Sequence, residues 1–339
     1  MFAIWTRWQS VATAAIHAGR LGARGGLHGA ALQLCNPASK VMDMSLSQSS
    51  TEPPPDPDTA LAPLRAELDD IDDSVLALLR RRAEVVQQVG QLKQGVAIRA
   101  GREAAILRRL LATAHAPLPD AAIVRVWREI FAASTSQQGP FSISVCETDA
   151  SGAMAACARE HFGALTPLHL YHTPAQAIAA VAQAGASAAV LPMPDGAPGP
   201  MGAWWVSLLG REVPRIFVVA RLPFWAPRSL GSPAVSALVV AAAEPDPSGV
   251  DRTLVALELN GALSRAHLSA RFTEAGLPPS AMIVRDQGGI GYALFELDGF
   301  VEENDSRLTS VTGLPRPPVV LGAYAVSPAS KLDDKEASR

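Results

Sequence analysis

From Leu61 to Leu92 apolar residues recur in alternating steps of three and four: Leu61, Leu64, Leu68, Ile71, Val75, Leu78, then Val85, Val89 and Leu92. That spacing holds them on one stripe of an α-helix. Asp58 or Thr59 can cap its start, and Pro63 is expected in the first turn, where a missing N–H costs nothing. Continued to Gln94, the helix would be roughly 50 Å long at 1.5 Å per residue, so its stripe calls for a partner chain. Gly95 to Gly101 interrupts the pattern. A second helix is predicted from Arg102 to Ala114 on Ile106, Leu107, Leu110 and Leu111. A third, beyond Pro117 and Pro119, rests on Ile123, Val126, Trp127, Ile130 and Phe131 and ends near Gly139 and Pro140. Three helices thus occupy 59–139.

After Pro140 the texture changes. FSISVC, LHLYHT, AAVLPM and RIFVVARLPF read as short strands, and SGAMAACAREHFG and PAQAIAAVAQAG as the helices between them. Alternating strands and helices predict an α/β domain over 140–230. SALVVAAAE, the helix LSRAHLSARFTEAG, AMIVRDQ and IGYALFELDG predict a smaller β-α-β-β unit within 231–303. Residues 304–339 are expected to be an irregular tail. At the other end, the Pro-rich stretch Ser45 to Thr59 reads as a linker, and 1–58 as a disordered leader. Residues 1–42 contain four Lys/Arg and no Asp or Glu, as transit peptides do; the preferred reading is a start of translation at Met42 or Met44.

Composition narrows the function. With 48% hydrophobic residues and a mean hydropathy of +0.16, the chain can bury real cores. Its net charge of −3 and the lack of a basic tract argue against a nucleic-acid surface. No run of 18 apolar residues occurs, so no helical membrane span is expected. Cys35, Cys146 and Cys157 lack CxxC spacing and the histidines are scattered, which predicts a reducing, cytoplasmic setting with no metal and no cofactor. Small-molecule chemistry or protein contact remains.

The informative positions are polar residues where periodicity demands apolar ones. Arg82 follows Leu78 by four and precedes Val85 by three, within the stripe itself. Lys93 follows Val89 by four. In the third helix, Ile123, Trp127 and Ile130 continue into Ser134 and Gln138. Singly, each has a structural explanation, such as snorkelling or a frayed end. Together they place several polar groups on one inner face, where cations need an anion between them. Guanidinium forks suit carboxylates, which points to a small dicarboxylate. In the linking stretch LKQGVAIRAGREAAILRRL, Arg108 and Arg109 are expected to be ordinary surface charge.

LAPLRAELDDIDDSVLALLRRRAEVVQQVGQLK, GREAAILRRL and IVRVWREIFAASTSQQ resemble the all-helical chorismate mutases, in particular the mutase domain of bifunctional chorismate mutase/prephenate dehydratases. The resemblance covers 61–138 and rests on ordered polar landmarks in three helices. It implies a three-helix mutase domain in an intertwined homodimer, followed by an α/β periplasmic-binding-like region and an α+β region of the ACT type. It also implies the rearrangement of chorismate to prephenate, in aromatic amino acid biosynthesis. Arg65, supplied by the partner chain, and Arg82 would hold the two carboxylates. Lys93 and Gln138 would donate to the breaking ether oxygen, Glu103 would accept from the ring hydroxyl and position Lys93, Arg102 would support the site, and Ser134 would assist at a carboxylate. Arg99 is counted with the substrate-binding residues, although many relatives have an aspartate there, and Gly101 precedes the Arg102–Glu103 pair.

The remainder resembles the same family with its motifs worn. Pro214 stands where the dehydratase has its catalytic threonine, Ser151 to Ala155 replaces a glycine-rich loop, and Pro192 to Gly196 replaces its P-x-E-N-S element. The ACT-type region keeps a Gly261–Ala262–Leu263 turn and has MIVRD in place of the phenylalanine-recognising segment. Dehydratase activity is therefore not expected. The rival readings are a working bifunctional enzyme and a non-catalytic regulatory subunit of a shikimate-pathway enzyme.

Overall fold

A computed structural model describes residues 57–92, 98–113, 115–196, 199–210, 213–225, 231–232, 234–259, 264–287, 289–314 and 316–328. The expectations for the leader, for Lys93 and for the Gly261–Leu263 turn lie outside these residues. The chain divides into two compact units, Met1–Pro63 and Leu64–Arg339. Of the first, only 57–63 is described, and it is helical. This helix, α1 (Pro57–Leu92), begins earlier than the sequence suggested, so Asp58 lies in its first turn and Pro63 in its interior.

Helices α2 (Ala100–Leu111) and α3 (Asp120–Ser136) follow, each within a few residues of its expected span. Their facing residues Ala104, Leu107, Val124 and Phe131 are buried, and Phe224 completes that cluster from far along the chain. Val126, placed by periodicity on the inner face, is instead 50% exposed, because the buried stripe of α3 runs through Val124 and Arg128. Arg108 is not surface charge. Its guanidinium donates to the carbonyls of Ser248, Val250 and Val326 at 2.6–2.9 Å and ties α2 to the following strands.

Those strands form one nine-stranded sheet in the order β2-β1-β3-β5-β4-β9-β6-β8-β7. In its first half, β1 (Ile143–Cys146), α4 (Ala153–Phe162), β2 (Leu168–Tyr171), α5 (Pro174–Ala182) and β3 (Ala188–Pro192) make parallel crossover units, with β1 in the middle. Such parallel strands are covered on both faces and read as unbroken apolar runs. β4 (Phe217–Leu222) and β5 (Ala237–Ala241) extend the sheet antiparallel to each other.

The second half corrects two expectations. SALVVAAAE supplies β5 of the first half, and the smaller unit starts instead at β6 (Asp251–Leu259). It continues through α6 (Arg265–Glu274), β7 (Pro279–Gln287), β8 (Ile290–Asp298), α7 (Ser306–Thr309) and β9 (Val319–Ala325). The expected tail thus contains a helix and a strand, giving β-α-β-β-α-β with spatial order β9-β6-β8-β7. β6 and β9 show no alternation of apolar and polar residues because both of their faces are buried. In β6, Val255, Leu257 and Leu259 pack toward Phe272 and Phe295, while Leu254 and Ala256 join the core of the first half. The sheet passes from one half to the other through one parallel pairing, Val218 with Gly322. A side chain at Gly322 would put its Cβ 2.1 Å from the Val218 carbonyl oxygen, and φ there is +136°, so glycine is required.

Among the described residues no helix is long and apolar enough to cross a membrane, and no group of three or more His, Cys, Asp or Glu could hold a metal ion. Cys146 and Cys157 are buried.

Candidate active site

The site is built where α1, α2 and α3 converge. Arg82 lies half-buried on α1, and its Nη1 donates to Ser134 Oγ on α3 while the guanidinium stands 5.9 Å above the Phe131 ring. Ser134 Oγ in turn donates to the Ile130 carbonyl at 2.6 Å. Gln138, just beyond α3, donates from Nε2 to the Ser134 carbonyl at 3.2 Å. It lies against α1 at Gly90, where an added Cβ would come 3.4 Å from Gln138 Cγ. The inward polar stripe predicted for α3 therefore meets the predicted cation of α1.

Glu103 enters from the first turn of α2. Its Oε2 accepts a hydrogen bond from Arg128 Nη1 at 2.9 Å, within an ion pair whose arginine is only 4% exposed. Burial pushes the Glu103 carboxyl above its ordinary range; Arg128 and Arg82 pull it down, and Asp246 pushes it up. Burial likewise lowers the Arg82 guanidinium, against the pull of Glu103. Guanidinium groups remain cationic through such shifts, so Arg82 keeps a charge that can bind an anion.

The two departures in the hinge have a common cause. Arg99 Nε contacts Asp246 Oδ2 at 3.2 Å, and the backbone N–H groups of Gly101 and Arg102 donate to the same carboxylate at 3.1 Å. A carboxylate at the N-terminus of α2 satisfies otherwise orphaned donors. Gly101 is needed for this approach, since a Cβ there would sit 2.0 Å from the Asp246 carbonyl oxygen. Arg99 is thus engaged by Asp246, and Arg102 contributes its backbone while its side chain is exposed. Arg65 lies exposed on α1, seventeen residues before Arg82, which at 1.5 Å per residue separates them by about 26 Å. One helix cannot bring both to a single small ligand.

Sequence reasoning missed Arg128, Asp246 and Phe224. Arg128 was within reach of the same criterion that singled out Arg82, because Val124, Arg128 and Phe131 follow steps of four and three. Asp246 and Phe224 carried no local signal. The worn motifs farther along serve structural contacts: Glu147, after β1, accepts the Ala155 N–H at 3.0 Å, and the Pro192 carbonyl accepts Trp204 Nε1 at 2.9 Å.

Comparison with known proteins bears on the helical segment. Residues 64–139 match the family described as chorismate mutase type II. A bifunctional chorismate mutase/prephenate dehydratase of Neisseria gonorrhoeae (strain ATCC 700825 / FA 1090) is 34% identical over 117 residues, 34% of this chain and 31% of that protein. The chain spans less than a third of the length of the curated relatives it matches. Among solved structures, one described as "GqqA- a novel type of quorum quenching acylases" has a TM-score of 0.43 at 18% identity, covering 57% of this chain and 99% of that one. The prephenate dehydratase from Streptococcus mutans has a TM-score of 0.40 at 16% identity, covering 55% and 98%.

Proposed function

We propose that this chain catalyses the rearrangement of chorismate to prephenate as a homodimer, in aromatic amino acid biosynthesis. The observation that carries the reading is the convergence of Arg82, Ser134, Gln138 and Glu103 from three helices of the segment that matches the mutase family. An intramolecular Claisen rearrangement needs no nucleophile and no obligatory proton transfer. Its barrier falls when the compact diaxial conformer is held and when charge developing on the ether oxygen meets fixed donors.

In this reading Arg82, steadied by Ser134, binds one carboxylate, and Arg65 of a second copy binds the other. Lys93 and Gln138 donate to the ether oxygen, Glu103 accepts from the ring hydroxyl and orients Lys93, and Arg102 supports the hinge. Arg99, engaged by Asp246, is assigned to the hinge rather than to substrate. Two observations support the dimer. Arg65 and Arg82 are too far apart on α1 to share a ligand within one chain, and Leu64, Leu68, Ile71, Val75 and Leu78 are 49–70% exposed along the same helix. Gln138 is neutral, so it donates without having to be protonated and activity is expected to persist at neutral pH.

The sheet-bearing region is assigned no dehydratase activity, because Pro214 offers no hydroxyl where the dehydratase has its threonine. Its β-α-β-β-α-β half is read as an ACT-type scaffold. Loss of chorismate absorbance, followed for wild type and Arg82→Ala, tests the assignment. The variant is expected to lose on the order of 10² to 10³ in kcat, the usual effect of removing one electrostatic donor. No turnover by wild type would sink the assignment in favour of a non-catalytic subunit, and phenylpyruvate formed from prephenate would overturn the monofunctional reading.

A further inference from the structure

Glu103 reaches its place through residues that no mutase helix pattern predicts. Its Oε2 is held by Arg128 at 2.9 Å, and Arg128 is itself buried beneath the sheet-bearing region, with its guanidinium 5.0 Å from the centre of the Phe224 ring. Phe224 follows β4 and packs with Leu107, Val124 and Phe131. A planar cation sandwiched in this way has little freedom, and it fixes the carboxylate it pairs with.

We propose that Arg128 is a positioning residue for the mutase reaction, seated by Phe224, through which the sheet-bearing region completes the helical site by holding the Glu103 carboxyl group in place. The proposal rests on the mutase reading above. With Oε2 taken by Arg128, Oε1 is left to meet the substrate hydroxyl and Lys93.

Glu103 has charged or titratable neighbours on every element packed about it: Arg82 on α1, Arg128 on α3, Asp246 between β5 and β6, and His161 on α4, which shares a small cavity with Glu103 and Thr135. His161 is held neutral by burial and by Arg128, so it does not replace the arginine's charge. Burial and Asp246 favour the protonated acid, while Arg128 and Arg82 favour the carboxylate. Removing the Arg128 charge therefore makes Glu103 take up a proton at higher pH. The acid limb of kcat/KM should move the same way.

The test is the pH profile of the full-length chain for wild type, Arg128→Gln, Arg128→Lys and Phe224→Leu, with ¹³C NMR titration of the Glu103 carboxyl in each. Arg128→Gln is expected to raise the acid limb by about one to three pH units, the range for losing an adjacent opposite charge. Its kcat/KM at neutral pH should fall on the order of 10²-fold, as for a displaced group near the chemistry. Arg128→Lys should return the limb close to its wild-type position with only part of the rate. Phe224→Leu should shift it upward by less than Arg128→Gln. A folded Arg128→Gln whose rate drops equally at every pH, with Glu103 titrating as in wild type, overturns the proposal. If Arg128→Gln does not fold, Phe224→Leu decides: an upward Glu103 shift supports the proposal and an unchanged titration overturns it. If wild type does not turn over chorismate, the functional reading fails, and the NMR titration still judges the coupling on the same two outcomes.

Discussion

Helix α1 and the α2–α3 pair have similar apolar periodicity and opposite fates. On α1, Leu68 is 60% exposed and Leu78 70%; on the pair, Leu107 is 0% exposed and Phe131 5%. The pair finds its cover within the chain, from Phe224, Trp225 and Ala325. The stripe of α1 from Leu64 to Leu78 stays about half exposed or more among the described residues of the same chain. An apolar stripe therefore specifies that a helix must be covered and says nothing of whether the cover comes from the same molecule or from another. In the mutase reading the two fates are complementary, since the covered pair presents Glu103 and Ser134 while the uncovered helix delivers Arg65 to a second copy.

The comparison can be broken at its buried end first. Leu107→Ala removes a fully buried side chain and is expected to cost about 2–5 kcal/mol in denaturant unfolding. A cost within about 0.5 kcal/mol, the norm for surface sites, would show that the pair is not packed as described. Leu78→Ala probes the other end. If a second copy covers α1, it should cost about 2 kcal/mol and make the dimer dissociate at higher protein concentration in sedimentation equilibrium. A monodisperse monomer, indifferent to the substitution, would leave α1 uncovered and Arg65 without a site.

A third measurement sharpens the covered side through pH. Burial and Arg128 hold His161 well below its ordinary pKa, so the folded state keeps it neutral while the unfolded chain protonates it near 6.5. Its contribution to stability is complete above pH 6.5 and is lost as pH falls, by about 1.4 kcal/mol per pH unit until the folded-state pKa is reached. His161→Gln should remove that part of the slope between pH 6.5 and 5 in urea titrations. An unchanged slope would mean that His161 is not buried against α3. The smallest effect is expected at the helix start. Asp246→Asn keeps the shape of the cap and removes its charge, costing about 1 kcal/mol with a salt-sensitive loss, and a neutral result would detach Arg99 and α2 from this carboxylate.

Where the sequence was readable, local spacing made it so. The three helices fall within a few residues of their expected spans, and Arg82, Ser134 and Gln138 were marked by polarity within an apolar stripe. β6 and β9 were passed over because strands buried on both faces show no alternation. Arg108 was taken for surface charge, since its carbonyl partners lie 140 to 218 residues away. Glu103 was anticipated, but its ion pair was not, because Val126 rather than Val124 was taken for the inner face of the third helix, which leaves Arg128 off the buried stripe.

By itself, then, the sequence determined the helices, their inward faces and the polar residues set upon them, because a repeat of 3.6 residues is written in neighbouring positions. Tertiary structure alone decided who neutralises whom: Asp246 on the hinge, Phe224 over Arg128, Arg128 on Glu103. Hydrogen bonds and ion pairs act over about 3 Å in space, and nothing in the local pattern records which distant residue the fold brings within that reach.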